Sequence, residues 1–252
     1  MPRVARGKSS TGIYHVMFRG VNHQIIFEDD EDYIKYLDTL KTYQAKSDYT
    51  IYAYCLMGNH IHLLIKEETE DLGLTFKRIG ASYVHWYNWK YDRRGHLFQD
   101  RYKSEIVEND SYFLTVLRYI HQNPLKAGMV KDISDYRWSS YHEYLGQPGI
   151  CDIDFTFGMF SADRMKAIQL FKEFNFAQNQ DCCLDYDQNI RLNDAEASAF
   201  IKSISFVENL TEVQCLEKEK RNEIIKACKE KGISLRQIAR LTGVSVGVIR
   251  AI

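Results

Sequence analysis

The sequence has little of what a disulfide scaffold, a thiolate metal site or a membrane protein needs. Its six cysteines (Cys55, Cys151, Cys182, Cys183, Cys215, Cys228) are scattered, and no two stand in CxxC spacing. That argues against both a zinc framework and paired disulfides. Thiols in a reducing cytoplasm are the simpler expectation. No stretch approaches the roughly 18 apolar residues of a membrane span. The opening residues, MPRVARGKSS, are basic but lack the apolar segment of a secretory signal. There are three prolines and no Gly/Ser-rich tract, so no long flexible linker is expected. No Walker motif is present, which leaves ATP-driven chemistry without its phosphate cradle.

What is present is a core. The 252 residues are 45% hydrophobic and 13% aromatic, enough for one large domain or a domain of about 150 residues with a smaller partner. The net charge of −1 hides an asymmetry. Residues 1–20 carry Arg3, Arg6, Lys8 and Arg19 and no acid; residues 151–219 carry 13 acids against 6 Lys/Arg; residues 220–252 carry 8 Lys/Arg against 2 acids. Basic ends around an acidic middle suit a polyanion touched at two places, although such charges also simply solvate a surface.

Periodicity gives the element order. GIYHVMFRGV (12–21) alternates as a strand, and the acids of 29–32 open an amphipathic helix to about residue 48. YTIYAYCLM and HIHLLIKE flank the turn Gly58-Asn59 as a β-hairpin. A helix follows over about 72–91, then a fourth strand within 95–108. The next helix is capped by Asn109 or Asp110 and runs to Asn123, where Pro124 is expected to stop it. This β-α-β-β-α-β order predicts an α+β fold: a ferredoxin-like (split βαβ) antiparallel sheet with helices on one face, then an all-α C-terminal region. Boundaries are expected near GQPG (146–149) and near 219. They give a first domain over 1–148, an acidic, mainly helical connector over 149–219, and a terminal module over 220–252.

Two stretches carry candidate chemistry. Alternate residues of a strand share a face, so His60 and His62 project the same way, about 7 Å apart. Imidazoles at that spacing can converge on one divalent ion if another element adds a ligand; they are also what a half-exposed strand can carry by chance. In LRYIHQNPLKAG (117–128), Tyr119 and Asn123 lie one helical turn apart on one face. A phenol beside a cation is a candidate nucleophile, and an amide oxygen a candidate ligand. In a chain with 17 tyrosines, both also read as ordinary packing residues.

IYHVMFRGVN, YCLMGNHIHLLI, GHLFQDRYKS and LRYIHQNPLKAG occur in that order. Together, over about residues 8–145, the chain resembles the single-tyrosine HUH transposases of the insertion-sequence type, and more closely the REP-associated tyrosine transposases. The resemblance implies metal ligation by His60 and His62 and a nucleophile at Tyr119. A third metal contact falls at Asn123, where many relatives carry the longer Gln or Glu. It implies Mg²⁺ or Mn²⁺ as cofactor and single-stranded or hairpin DNA as partner, handled by a monomer or a homodimer. The chemistry implied is cleavage through a 5′-phosphotyrosine that a second 3′-hydroxyl can reverse.

For holding DNA, the candidates are Arg3, Arg6, Lys8 and Arg19, with Lys77, Arg78, Lys90, Arg93, Arg94, Arg101 and Lys103 as a second positive set, of which Arg101 and Lys103 are the chosen contacts. Tyr83, His85, Trp86, Tyr87 and Trp89 either stack on bases or pack a helix onto the sheet. His15 on the first strand either faces the site or packs. SLRQIARLTGVSVGVIRAI (234–252) fits a helix-turn-helix. Ser234 is its cap, Ala239 lies at the crossing and Gly243 in the turn, with Ile238, Val244, Ile249 and Ile252 buried. Arg236 and Arg250 are its candidate DNA contacts; a plain helical hairpin is the alternative. Two other functions compete with the transposase reading: an idle hairpin-binding regulator, and a metal-dependent nuclease that uses water.

Overall fold

The computed structural model describes residues 7–185, 194–233 and 235–252. The chain divides into two compact units, 1–184 and 185–252.

The first unit is built on a four-stranded antiparallel sheet of β1 (Ile13–Arg19), β2 (Tyr49–Met57), β3 (His60–Glu67) and β4 (Lys103–Ile106) in the order β2-β3-β1-β4. With α1 (Asp30–Ser47) between β1 and β2 and α2 (Leu72–Lys90) between β3 and β4, this is the expected ferredoxin-like arrangement. Asp29 caps α1 by accepting from the amides of Glu31 and Asp32. Asp32 in turn accepts from the amide of Asp29, a capping box of the kind that stabilises a helix start by about 1 kcal/mol. Tyr14, Val16 and Phe18 on β1 and Ile61, Leu63 and Ile65 on β3 share one face, packed against Tyr36 and Leu40 of α1 and Phe76, Ile79 and Tyr83 of α2.

The other face is covered as well, which corrects the expectation of helices on one face only. A second core joins Tyr52, Cys55, Met57 and Leu64 of the sheet to Phe113, Val116, Leu117 and Ile120 of α3 (Asp110–Lys126). It continues through α4 (Tyr141–Tyr144), α5 (Ile153–Phe160) and α6 (Arg164–Phe176), which contribute Tyr141, Tyr144, Phe157, Ala167 and Phe171. The sheet's inner strands are therefore buried on both sides, as the near-continuous burial of β1 shows.

Pro124 does not stop α3, which runs to Lys126. It costs one intrahelical bond in the last turn. The helix ends instead at Gly128, whose φ of +70° suits a glycine. The Gly128 amide donates to Leu125 O at 3.0 Å and the Met129 amide to Pro124 O at 2.9 Å, a Schellman closure.

The stretch assigned to a connector, 149–219, is divided between the two units. GQPG is a pinned turn rather than a linker. The Cys151 amide donates to Glu143 Oε2 and the Asp152 amide to Ile51 O, both at 2.8 Å. A Cβ on Gly149 would sit 1.8 Å from the Glu143 carboxylate carbon. Residues 153–176 thus belong to the first unit's second core.

The second unit holds α7 (Asp194–Ser205), α8 (Lys218–Glu230), α9 (Leu235–Thr242) and α10 (Val246–Ala251). Its core takes Ala197, Ile201 and Val213 from the expected connector, together with Ile224, Ile225, Cys228, Ile238, Val244 and Ile249. Gly243 turns the chain between α9 and α10 at φ +76°, and Ser245 caps α10 through the Val248 amide at 3.4 Å. Ser234 lies outside the described residues. Among the described residues, no helix is long and apolar enough to cross a membrane.

Candidate metal and nucleophile site

The second face of the sheet carries polar rows between its apolar ones. Antiparallel register sets Arg19 against His60, Met17 against His62 and Lys103, and His15 against Leu64 and Glu105. Above this face runs α3, whose Tyr119 and Asn123 sit four residues apart, so both look down on the sheet.

Tyr119 and the histidine pair, derived from separate elements, come together in one subunit. The His62 ring centroid lies 5.1 Å from that of His60 and 5.8 Å from that of Tyr119. The Asn123 carboxamide stands between the two imidazoles: its Oδ1 is 3.5 Å from His60 Nε2 and its Nδ2 is 3.3 Å from His62 Nε2. Among the described residues, no three His, Cys, Asp or Glu side chains cluster as metal ligands. The donor set on offer is two imidazole nitrogens and one amide oxygen. Those atoms fit a small divalent cation, because adjacent ligands about 2.1 Å from an octahedral ion sit roughly 3 Å apart. His62 and Asn123 are buried and His60 is half-buried, so the open side lies toward His60.

Burial first, then the neighbouring His60 and His15, hold the His62 pKa well below its ordinary value. The ring is therefore neutral and can ligate a metal. Lys126 Nζ lies 5.1 Å over the Tyr119 ring and donates to Asn179 Oδ1 at 3.2 Å. Arg118 pairs with Asp181 at 2.7 Å on the same stretch.

A model of the family described as IS200-like transposases matches residues 8–123. Over that stretch the chain is similar to IS200-like transposases. The chain is also 25% identical over 110 residues to the REP-associated tyrosine transposase of Escherichia coli, covering 43% of this chain and 63% of that protein. A putative REP-associated tyrosine transposase of Haemophilus influenzae is 30% identical over 102 residues, covering 36% of this chain and 57% of the relative. The chain thus spans about three-fifths of each curated relative's length. A solved REP-associated tyrosine transposase bound to a REP hairpin superposes with a TM-score of 0.52 at 19% identity, over 65% of this chain and 93% of that one, which shows the shared fold.

The other expected DNA contacts fall into groups. Arg19 and Lys103 share the histidine face by register, and Arg19 also contacts His23. Lys8 and Arg101 are exposed. Arg3 and Arg6 lie outside the described residues, as does the side chain of Arg236; Arg250 is exposed on α10 in the other unit. Lys90 is committed elsewhere, to Asp29, Glu31 and Asp32 at 2.7–2.9 Å. Arg78 pairs with Glu70 at 2.7 Å. Of the aromatic series, Tyr83 and Tyr87 are core residues, whereas Trp89 is 76% exposed.

Residue-level reading missed Asn59, Glu105 and the role of His15. His15 Nε2 lies 3.1 Å from His62 Nδ1, its Nδ1 lies 3.9 Å from Glu105 Oε2, and Asn59 Oδ1 lies 2.7 Å from His60 Nδ1. The available signal was that His15 occupies the same side of β1 as Met17, which only the strand pairing connects to His62. The contact with His15, chiefly, draws the Glu105 pKa down to about 2 against an opposing burial effect.

Two residues after Tyr119, His121 fixes the helix. Its Nδ1 meets Asn175 Oδ1 at 3.0 Å and its Nε2 meets Ser140 Oγ at 2.9 Å. Burial pushes its pKa down from 6.5 to about 4. The unfolded chain therefore takes up a proton near pH 6.5 that the folded chain refuses until about pH 4. Stability from this group is intact above the upper value and falls as pH drops through the window, by about 2 kcal/mol at pH 5. Urea unfolding at pH 7 and pH 5 should show that loss, and His121→Gln should remove most of it. An unchanged pH dependence in the variant would refute the assignment.

Proposed function

We propose that the chain is a metal-dependent single-stranded DNA endonuclease and strand transferase that works through a 5′-phosphotyrosine on Tyr119. The observation that carries this reading is the convergence of Tyr119, His60, His62 and Asn123 within an IS200-like domain. His60 Nε2, His62 Nε2 and Asn123 Oδ1 would hold Mg²⁺ or Mn²⁺. Bound there, the cation supplies charge neutralisation and polarisation of a scissile phosphate.

This chain's own residues do the rest. The phenolic oxygen of Tyr119 forms a bond to phosphorus, the bond from phosphorus to the 3′-oxygen breaks, and that oxygen leaves as a hydroxyl. The phenol gives up one proton and the leaving oxygen gains one. One phosphodiester is exchanged for another, so the step runs in reverse with a new 3′-hydroxyl. Arg19 and Lys103, on the same face, are placed to meet DNA phosphates. The solved relative carries a REP hairpin; by that likeness the preferred DNA here is a hairpin with a single-stranded flank. The glycine turn between α9 and α10 serves, in this reading, as a helix-turn-helix that adds phosphate contacts through Arg236 and Arg250.

The test is incubation with a hairpin oligonucleotide and Mn²⁺, followed by denaturing electrophoresis and peptide mapping. The expected product is a DNA–protein adduct on Tyr119 that forms only with the metal. Hairpin binding with no adduct would instead support a regulator, and cleavage with no adduct a water-using nuclease.

A further inference from the structure

Both candidate histidine ligands are gripped from behind, and the two grips are built differently. His60 Nδ1 faces Asn59 Oδ1 at 2.7 Å, a shorter contact than that of its Nε2 with Asn123 Oδ1 at 3.5 Å. The neutral ring therefore donates to Asn59 and keeps its Nε2 lone pair on the side of Asn123 Oδ1, where both atoms can ligate a cation. His62 Nδ1 faces His15 Nε2 at 3.1 Å, and one proton lies between them. Two observations decide which ring holds it. His15 Nδ1 points at the Glu105 carboxylate at 3.9 Å, an arrangement that favours N–H over a lone pair on that atom. His62 Nε2 faces the Asn123 amide nitrogen at 3.3 Å, a donor that favours a lone pair on the imidazole. Both place N–H on Nδ1 of each ring and leave His15 Nε2 as the acceptor.

We infer that His15, backed by Glu105, is a positioning residue that fixes the tautomer and ring orientation of His62, turning its Nε2 lone pair toward Asn123. The inference rests on the metal reading above and deepens it. His15 is fully buried on the central strand β1, where an unshared imidazole would be costly. The carboxylate–imidazole–imidazole series lies on one sheet face because Glu105 and His15 are register partners, and Met17, two residues along from His15, is the partner of His62. A metal-bound imidazole whose far N–H is held this way ligates in one orientation, and removal of such a partner typically costs 10–100-fold in metal affinity.

The experiment uses the full chain. Long-range ¹H–¹⁵N correlation on the metal-free protein should show His62 protonated on Nδ1. Predominant Nε2 protonation overturns the inference. Mn²⁺ affinity, read by electron paramagnetic resonance, should fall about 10–100-fold in His15→Leu. It should recover to within a few-fold in His15→Gln, whose amide oxygen reaches the position of the lost Nε2. Equal loss in both variants points to packing alone and overturns the inference, as does an unchanged affinity in a folded His15→Leu. If His15→Leu does not fold, the wild-type tautomer decides. The parent reading is judged separately by His62→Ala: Mn²⁺ binding indifferent to that change removes the metal site, whatever the His62 tautomer.

Discussion

Tyr119→Phe should abolish the DNA–protein adduct, reducing it by at least about 10³-fold, the scale on which loss of a nucleophile registers. The prediction is sharp because the change is small. The ring stays, and with it the packing against His15 and His62 at 6.0 and 5.8 Å between centroids. Only the hydroxyl goes, which alters stability by about 1 kcal/mol. The variant should fold, bind Mn²⁺ and bind the hairpin while forming nothing covalent. Denaturing electrophoresis, with thermal unfolding of the same sample, separates the chemistry from the fold. Cleavage that survives in the Phe variant removes the phosphotyrosine mechanism outright.

The second large effect concerns the far side of the tyrosine helix. Phe171 is fully buried, stacked on Tyr144 at 4.4 Å and 7° and edged by His121 at 5.8 Å. Phe171→Ala should cost about 3–5 kcal/mol, a large part of the roughly 5–15 kcal/mol that holds a typical domain folded. A chain ending at residue 148 removes α5 and α6 altogether and exposes Tyr52, Phe113, Tyr141 and Tyr144, which pack in that core. It should not fold, whereas a chain ending at 184 should unfold cooperatively. Urea titration of the three proteins checks this. A stable, cooperative 1–148 fragment would show that the helices after GQPG are accessory.

The parts of the molecule that were legible in sequence are those set by local chemistry. The Gly58-Asn59 turn fixes the hairpin, strand alternation puts His60 and His62 on one face, and helical spacing puts Tyr119 above Asn123. The boundary at 148 misled because GQPG has the composition of a linker. What makes it a turn is Glu143, three residues before it, and the edge of β2, neither visible in the motif. The α5 and α6 helices bury few residues, Thr156 and Phe157 in one and Ala167, Phe171 and Asn175 in the other, so periodicity gave no hint that Phe157 and Phe171 complete a core. Pro124 misled in another way: it lacks the amide, but the last turn of α3 needs only its carbonyl, which accepts from Met129. His15 was unreadable because its partners, His62 and Glu105, lie 47 and 90 positions downstream and are brought to it by register alone.

The anchoring of α3 limits where motion can occur during the proposed strand exchange. His121 ties the helix to Ser140 and Asn175, and Gln122 Nε2 donates to Asn175 O at 2.6 Å. A phenol mounted on so firmly moored a rod moves by rotation about its own side-chain bonds rather than by travel of the helix. On the proposed mechanism the nucleotides would then do the travelling, the departing end swivelling out and the incoming end taking its place beside Tyr119.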